Sequence, residues 1–219
     1  MKTVHTIFLI VGAVVLSTSC HIFRKGKSRK TSLIEKAPAV SPPVQQDSIQ
    51  VVNSSFTAYL GQVERFAEQN KYSTDYFFFI DMGICSGRNR FFVYDRRKDS
   101  VTLSGLVSHG SCNTHYLDQA KFSNIVNCGC SSLGRYKVGA SYRGEFGKAY
   151  RLYGLDSTNS NAFKRGIVLH SFGPIPDKEI YPETLCNSFG CPMVSRNFLA
   201  KLSDIIDNSD KPILLWVYN

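Results

Sequence analysis

From Tyr76 onward the chain consists of short runs of aromatic and β-branched residues, each cut off by Gly, Asn, Asp or Ser. Runs of this length are too short for core helices and read as strands. YFFFIDM (76–82) and RFFVYD (90–95) come first, with CSGRN between them as a hairpin turn. VTLSGLVSHG (101–110), YKVGASY (136–142), KAYRLYGL (148–155), IVLHS (167–171) and PILLWVY (212–218) continue the pattern. Helical spacing occurs in two places. Val52, Phe56, Tyr59, Val63 and Phe66 recur three or four apart within 48–70, and MVSRNFLAKLSDIID (193–207) has the same period. Residues 111–135 are rich in Ser, Asn, Cys and Gly and predict a long loop with at most one short helix. NSNAFKRG (159–166) reads as a turn or short helix, and 174–185 as a loop with a short helical piece. The fold class expected is mainly β with a few helices, and no internal repeat is visible.

The N-terminus has a different character. Lys2 and His5 precede the apolar run IFLIVGAVVL, and STSC ends at Cys20. A short basic region, a short apolar core and small residues read as an export signal. The run from Ile7 to Leu16 is ten residues, against about 20 for a membrane-spanning helix. The segment resembles a bacterial lipoprotein signal with Cys20 as the lipidated residue, although Ser17 stands where Leu is more usual. Simple cleavage and an uncleaved anchor are the alternatives. Residues 21–47, basic and then rich in Ala, Pro, Ser and Gln, read as a flexible linker. A chain of 219 residues with 43% hydrophobic content then leaves 48–219 as a single domain.

The net charge of +9 is uneven, with seven Lys/Arg against two Asp/Glu in 1–47. The remaining excess is modest. It suits a polyanionic cell wall or membrane surface. Nucleic acid is not expected, because no basic stretch is interleaved with aromatics at a regular spacing. Nothing requires an oligomer, so a monomer is expected, with membrane contact only through the lipid anchor. No cofactor and no metal are expected.

LHS (169–171) and SFGC (188–191) carry the chemistry. A thiolate is the reactive form of cysteine, and an imidazole can take its proton. Gly190 permits a close backbone approach beside Cys191. Backbone N–H groups there can face a developing oxyanion, while Pro192 removes one donor. His170 and Cys191 are 21 positions apart, and a pair at that spacing is more often two unrelated core residues.

The surrounding motifs add to this. Ser188-Phe189-Gly190-Cys191-Pro192, VSHG (107–110), KFSN (121–124), CSSLGRY (130–136) and YRGEFGKAYRLYGLDSTNSNAFKRGIVLH (142–170) occur in one order. Together, over roughly 74–218, they resemble the murein L,D-transpeptidase catalytic family, also called YkuD-like domains, and within it the branch whose nucleophile motif reads S-x-G-C-P. The resemblance implies a β-sandwich or mixed β catalytic fold acting on peptidoglycan stem peptides in the cell envelope, periplasm or outer membrane. Cys191 would attack the carbonyl of the L-residue in an L–D peptide bond, with His170 as base. The acyl group would pass to an amine, or to water in a carboxypeptidase. A backbone carbonyl often holds the second imidazole nitrogen in such enzymes. Ser171 and Ser188 flank the pair as oxyanion-shaping, substrate-side or plain turn residues. His109 matches the histidine of the earlier SHG motif, with a structural or substrate-side role. Asn124, Ser131 and Ser132 match polar positions that order the loop beside the cleft. Arg151 and Arg165 are candidates for stem carboxylates, or for a solvated surface.

Two positions depart from the family pattern. Common members carry Arg two residues after the cysteine, where this chain has Met193, and the branch often has Arg four residues before it, where this chain has Asn187. Arg196 is a possible substitute. These departures admit a non-catalytic peptidoglycan-binding envelope protein as an alternative. The other cysteines admit a zinc cluster of His109, Cys112, His115, Cys128 and Cys130, a disulfide from Cys112 to Cys128 or Cys130 with Cys186 as another partner, or free thiols.

Overall fold

The structure, a computed structural model, describes residues 56–219. The export segment with Cys20, the linker 21–47 and the first part of the 48–70 helix lie outside the described residues. Eight strands form one mixed sheet in the order β3-β2-β1-β8-β4-β5-β6-β7. They are β1 (Tyr76–Asp81), β2 (Phe91–Asp95), β3 (Ser100–Gly105), β4 (Gly134–Gly144), β5 (Gly147–Gly154), β6 (Val168–Ser171), β7 (Met193–Val194) and β8 (Leu214–Tyr218). Among the described residues two helices, α1 (Thr57–Asn70) and α2 (Arg196–Asp207), accompany the sheet. Among the described residues no helix is long and apolar enough to cross a membrane.

The unbroken apolar run of β1 follows from its place. It lies between β2 and β8, and both of its faces are covered. Phe77 and Phe79 point to one core with Phe56, Val63 and Ala67 from the α1 side. Phe78 and Ile80 point to the other, with Tyr136, Val138, Tyr150, Leu152, Leu169 and Val194. Leu199 and Leu202 of α2 close that second core. Ser195 starts α2: its hydroxyl accepts from the Phe198 N–H at 3.1 Å.

Three details differ from the sequence reading. The predicted helix over 193–207 begins only at Arg196, because Met193 and Val194 pair in parallel with His170 and Ser171 as β7. Two residues cannot display a period, so helical spacing further along masked this strand. The strand expected over 101–110 stops at Gly105, where the Phe198 ring lies 2.6 Å from where a side-chain carbon would sit. The short helices considered in 111–135 and 174–185 are turns and bends.

Leu202 is fully buried in the central core. Leu202→Ala is expected to cost about 2–5 kcal/mol, seen as a lower urea midpoint at unchanged slope. A midpoint within error of wild type would contradict this packing.

Candidate active site

Parallel pairing of β6 with β7 closes the sequence gap between the two candidate residues. His170 is level with Met193 and Ser171 with Val194. Counting back two residues brings Cys191 level with Val168, whose N–H donates to Cys191 Sγ at 3.4 Å. Alternate residues of a strand share a face. Val168, His170, Cys191 and Met193 accordingly line one cavity of about 320 Å³, with Ala149 of β5 beside them.

Gly190 makes the approach to Cys191 possible. Its φ is +112°, and a side-chain carbon there would meet the Cys130 carbonyl oxygen at 2.6 Å. Its N–H donates to Ser188 Oγ at 3.0 Å, so the Ser188 hydroxyl braces the turn just before the cysteine. The Ser188 backbone is fixed in turn: its N–H donates to His109 O at 2.8 Å, and its carbonyl accepts from Ser111 N at 2.8 Å. Among the described residues the Cys191 N–H has no hydrogen-bond acceptor.

The histidine tautomer follows from its partner. His170 Nδ1 lies 3.1 Å from the Ser171 carbonyl oxygen. A carbonyl only accepts, so Nδ1 carries the proton and Nε2 keeps a lone pair. Ser171 thus contributes its backbone. Burial lowers the His170 pKa, against opposing contributions from the Ser171 hydrogen bond and from Glu145. Burial raises the Cys191 pKa, against the Val168 N–H and the positive Arg165. Both shifts favour the neutral imidazole and the neutral thiol near neutral pH.

The remaining candidates divide between wall and scaffold. Arg165 is committed behind the turn: it donates to Ser123 O at 3.0 Å, and also to Ser132 Oγ and Cys130 O. It ties the 123–132 loop to the Gly190 turn. Asn124 donates to Ser157 O at 2.9 Å and Ser160 Oγ at 3.1 Å, and its Oδ1 accepts from Asn161 N at 3.1 Å, which staples the same loop to 157–161. Ser131 Oγ accepts from Gly110 N at 3.0 Å. Arg151 is exposed on β5 opposite Val168, with its guanidinium 4.5 Å from the centre of the Tyr142 ring, and Tyr142 lines the cavity.

His109 is only 1% exposed and stands behind the wall. The equally buried Arg90 lies 3.0 Å from its Nδ1. A guanidinium only donates, so Nδ1 accepts, and the Nε2 proton goes to Leu117 O at 3.1 Å. Arg90 also donates to Val107 O at 2.9 Å and Ile84 O at 3.0 Å. Asn187, where the branch pattern has Arg, clasps Leu117 from both sides: Oδ1 accepts its N–H at 2.6 Å and Nδ2 donates to its carbonyl at 3.0 Å. The zinc alternative loses its ligands to other partners, since Cys112 and Cys130 form a disulfide and His109 is held by Arg90 and Leu117. Among the described residues Cys85, Cys128, Cys186 and Cys191 are free thiols.

Sequence reasoning missed the β4–β5 hairpin tip. Glu145 and Phe146 line the cavity, and the Phe146 ring stacks on His170 with centroids 5.3 Å apart and planes 20° apart. Phe172 meets Phe146 edge-on at 5.4 Å. Phe189, 83% exposed, adds an aromatic rim beside the cysteine. The YRGEFGK sequence reads only as a turn between strands, and nothing local indicates which ring it will cover.

Burial, and then the positive Arg90, push the His109 pKa down to about 4. An unfolded histidine takes up its proton near pH 6.5, so the unfolded chain binds the extra proton between about pH 6.5 and 4. Stability should fall with pH across that window, by about 3 kcal/mol at most. Urea midpoints from pH 7 to 4 measure it. His109→Gln should flatten the dependence, and an identical slope in both proteins would contradict the assignment.

Residues 47–218 match the model of the L,D-transpeptidase catalytic domain. No curated protein matches the sequence. Among solved structures, the chain is similar to the helical cell shape determining protein Pgp2 from Campylobacter jejuni (K307A mutant), with 14% identity and a TM-score of 0.44 over 68% of this chain and 49% of that one. An L,D-transpeptidase from Mycobacterium smegmatis gives 14% identity and 0.39, over 66% of this chain and 59% of that one. The L,D-transpeptidase from Xylanimonas cellulosilytica gives 15% and 0.36, over 70% and 68%. The chain thus spans about half the length of the Campylobacter protein. With the family model covering everything from before α1 to the end of β8, the chain belongs to the L,D-transpeptidase catalytic domain family.

Proposed function

We propose that this protein forms a thioester on Cys191 from peptidoglycan stem peptides and passes the acyl group to an amine, as a cysteine L,D-transpeptidase. The observation that carries this reading is the convergence of Cys191 and His170 on one cavity, with the His170 Nδ1 proton held by a backbone carbonyl. That tautomer leaves Nε2 as the atom able to receive the thiol proton.

In the first half-reaction the Cys191 proton moves to His170 Nε2 as Sγ bonds to the carbonyl carbon of the L-residue. The unpartnered Cys191 N–H is available to the oxyanion. Collapse breaks the peptide C–N bond, and the leaving amine of the D-residue takes the proton from His170. In the second half-reaction the acceptor amine bonds to the thioester carbon, its proton passes through His170, and sulfur departs as the thiol. Arg151 is the cation that supports carboxylate recognition in the place of the missing neighbours of Cys191: it lies across from Val168 and is braced on Tyr142. The Ser188–Pro192 order supports assignment to the S-x-G-C-P branch. The segment ending at Cys20 supports action in the cell envelope, with Cys20 as a lipid anchor.

Water as acceptor would make the same thioester serve an L,D-carboxypeptidase. The family model supports either outcome. Defined muropeptides incubated with wild type and Cys191→Ala, followed by mass spectrometry, separate the cases. A cross-linked product with release of the terminal D-residue is expected, absent in the variant. Release without cross-links would select the carboxypeptidase. No Cys191 adduct on folded protein would leave only a binding role.

The raised Cys191 pKa has a sign that can be tested. Below it the thiol stays protonated, so alkylation of free enzyme by iodoacetamide should keep accelerating with pH beyond the range where an ordinary thiol has levelled off. Peptide-resolved mass spectrometry separates Cys191 from the other free thiols. A plateau at neutral pH would contradict the burial argument.

A further inference from the structure

We propose that Glu145 receives the amine acceptor as its ammonium cation and so sets acceptor choice. This inference rests on the acyl-transfer reading of Cys191 and His170.

The cavity wall is mostly aromatic and apolar, and with neutral imidazole and thiol Glu145 is its one charged side chain among the described residues. Met193 and Asn187 occupy the wall where the family pattern has arginine. The cations nearest in sequence face away or are occupied. Arg143 alternates with Tyr142 and Gly144, which line the cavity, and so points to the opposite face. Lys148 pairs with Asp207 of α2 on that far side. Among the described residues the Glu145 carboxylate has no hydrogen bond or ion pair of its own. The backbone that carries it is held at the cavity, because the next residue, Phe146, is stacked on His170 and packed edge-on against Phe172. The hairpin tip therefore holds one free carboxylate at the mouth of the cavity, beside the histidine that must accept the proton of the attacking nitrogen.

An alkyl amine is a cation in neutral water, and it must reach an apolar cavity that offers it no other counter-charge. A carboxylate at the mouth concentrates such a cation where it can shed one proton to solvent and attack. The new C–N bond forms as the C–S bond breaks. The second nitrogen proton passes to His170 Nε2 and then to the departing sulfur. Water and other uncharged nucleophiles gain nothing from Glu145.

The test uses full-length protein, a stem-peptide donor, and two competing nucleophiles of different charge: glycinamide, largely cationic at pH 7, and hydroxylamine, largely neutral. Both compete for one thioester, so the product ratio by mass spectrometry is independent of how fast that thioester forms. Glu145→Gln should lower the glycinamide-to-hydroxylamine ratio by about twofold to fivefold, the range expected for a solvent-exposed charge pair. Glu145→Lys should lower it further. Added salt should reduce the wild-type ratio and leave that of the Gln variant nearly constant. An intact Cys191 adduct with an unchanged ratio overturns the Glu145 assignment alone. Absence of the adduct in wild type overturns the acyl-transfer reading and takes the assignment with it.

Discussion

The geometry of the candidate site depends on a two-residue strand. β7 pairs in parallel with the end of β6, and this contact sets Cys191 beside Val168 and on the same face as His170. A parallel pair needs a long connection between its strands. Here residues 172–192 supply it, and they carry Asn187, Ser188 and Phe189 to the cavity on the way back. The Gly190 turn sits at the end of that connection. Its left-handed backbone and the Cys130 carbonyl against it leave room for hydrogen only.

Much of the polar investment in the domain serves that turn rather than the chemistry. Arg165 joins Cys130 and Ser132 to Ser123. Asn124 ties the same loop to 157–161, and the Cys112–Cys130 disulfide closes it from the other side. Arg90 and His109 anchor Leu117, and Asn187 clasps that residue again from the cavity side. Buried polar groups are costly unless satisfied. Each member of this network has its partners, and the network can therefore hold irregular backbone rigidly next to Cys191. Residues that resemble binding groups in sequence, Arg165 and Asn124 above all, are spent on this support.

The electrostatics follow from the same enclosure. Burial disfavours both charged forms, the imidazolium of His170 and the thiolate of Cys191. Glu145 at the hairpin tip opposes this for His170, and Arg165 does so for Cys191. The two charges stand on different elements, one at the mouth and one behind the turn.

Local sequence determined a good deal. Short aromatic and β-branched runs cut off by turn residues marked most of the strands, because run length and residue type are properties of the strand itself. The motif order brought His170 and Cys191 forward, since each lies in a compact segment of recognisable composition. Tertiary structure alone decided the rest. β7 is too short to show a period, and its partner lies more than 20 residues away. Whether an arginine faces substrate or props a loop depends on acceptors from distant segments, as Arg165 shows with Ser123, Cys130 and Ser132. The placing of Phe146 over His170, and of Glu145 at the cavity mouth, depends on how the β4–β5 hairpin leans across the sheet. A residue's type and spacing fix what chemistry it can perform, while the direction it faces is fixed by packing against residues remote in the chain.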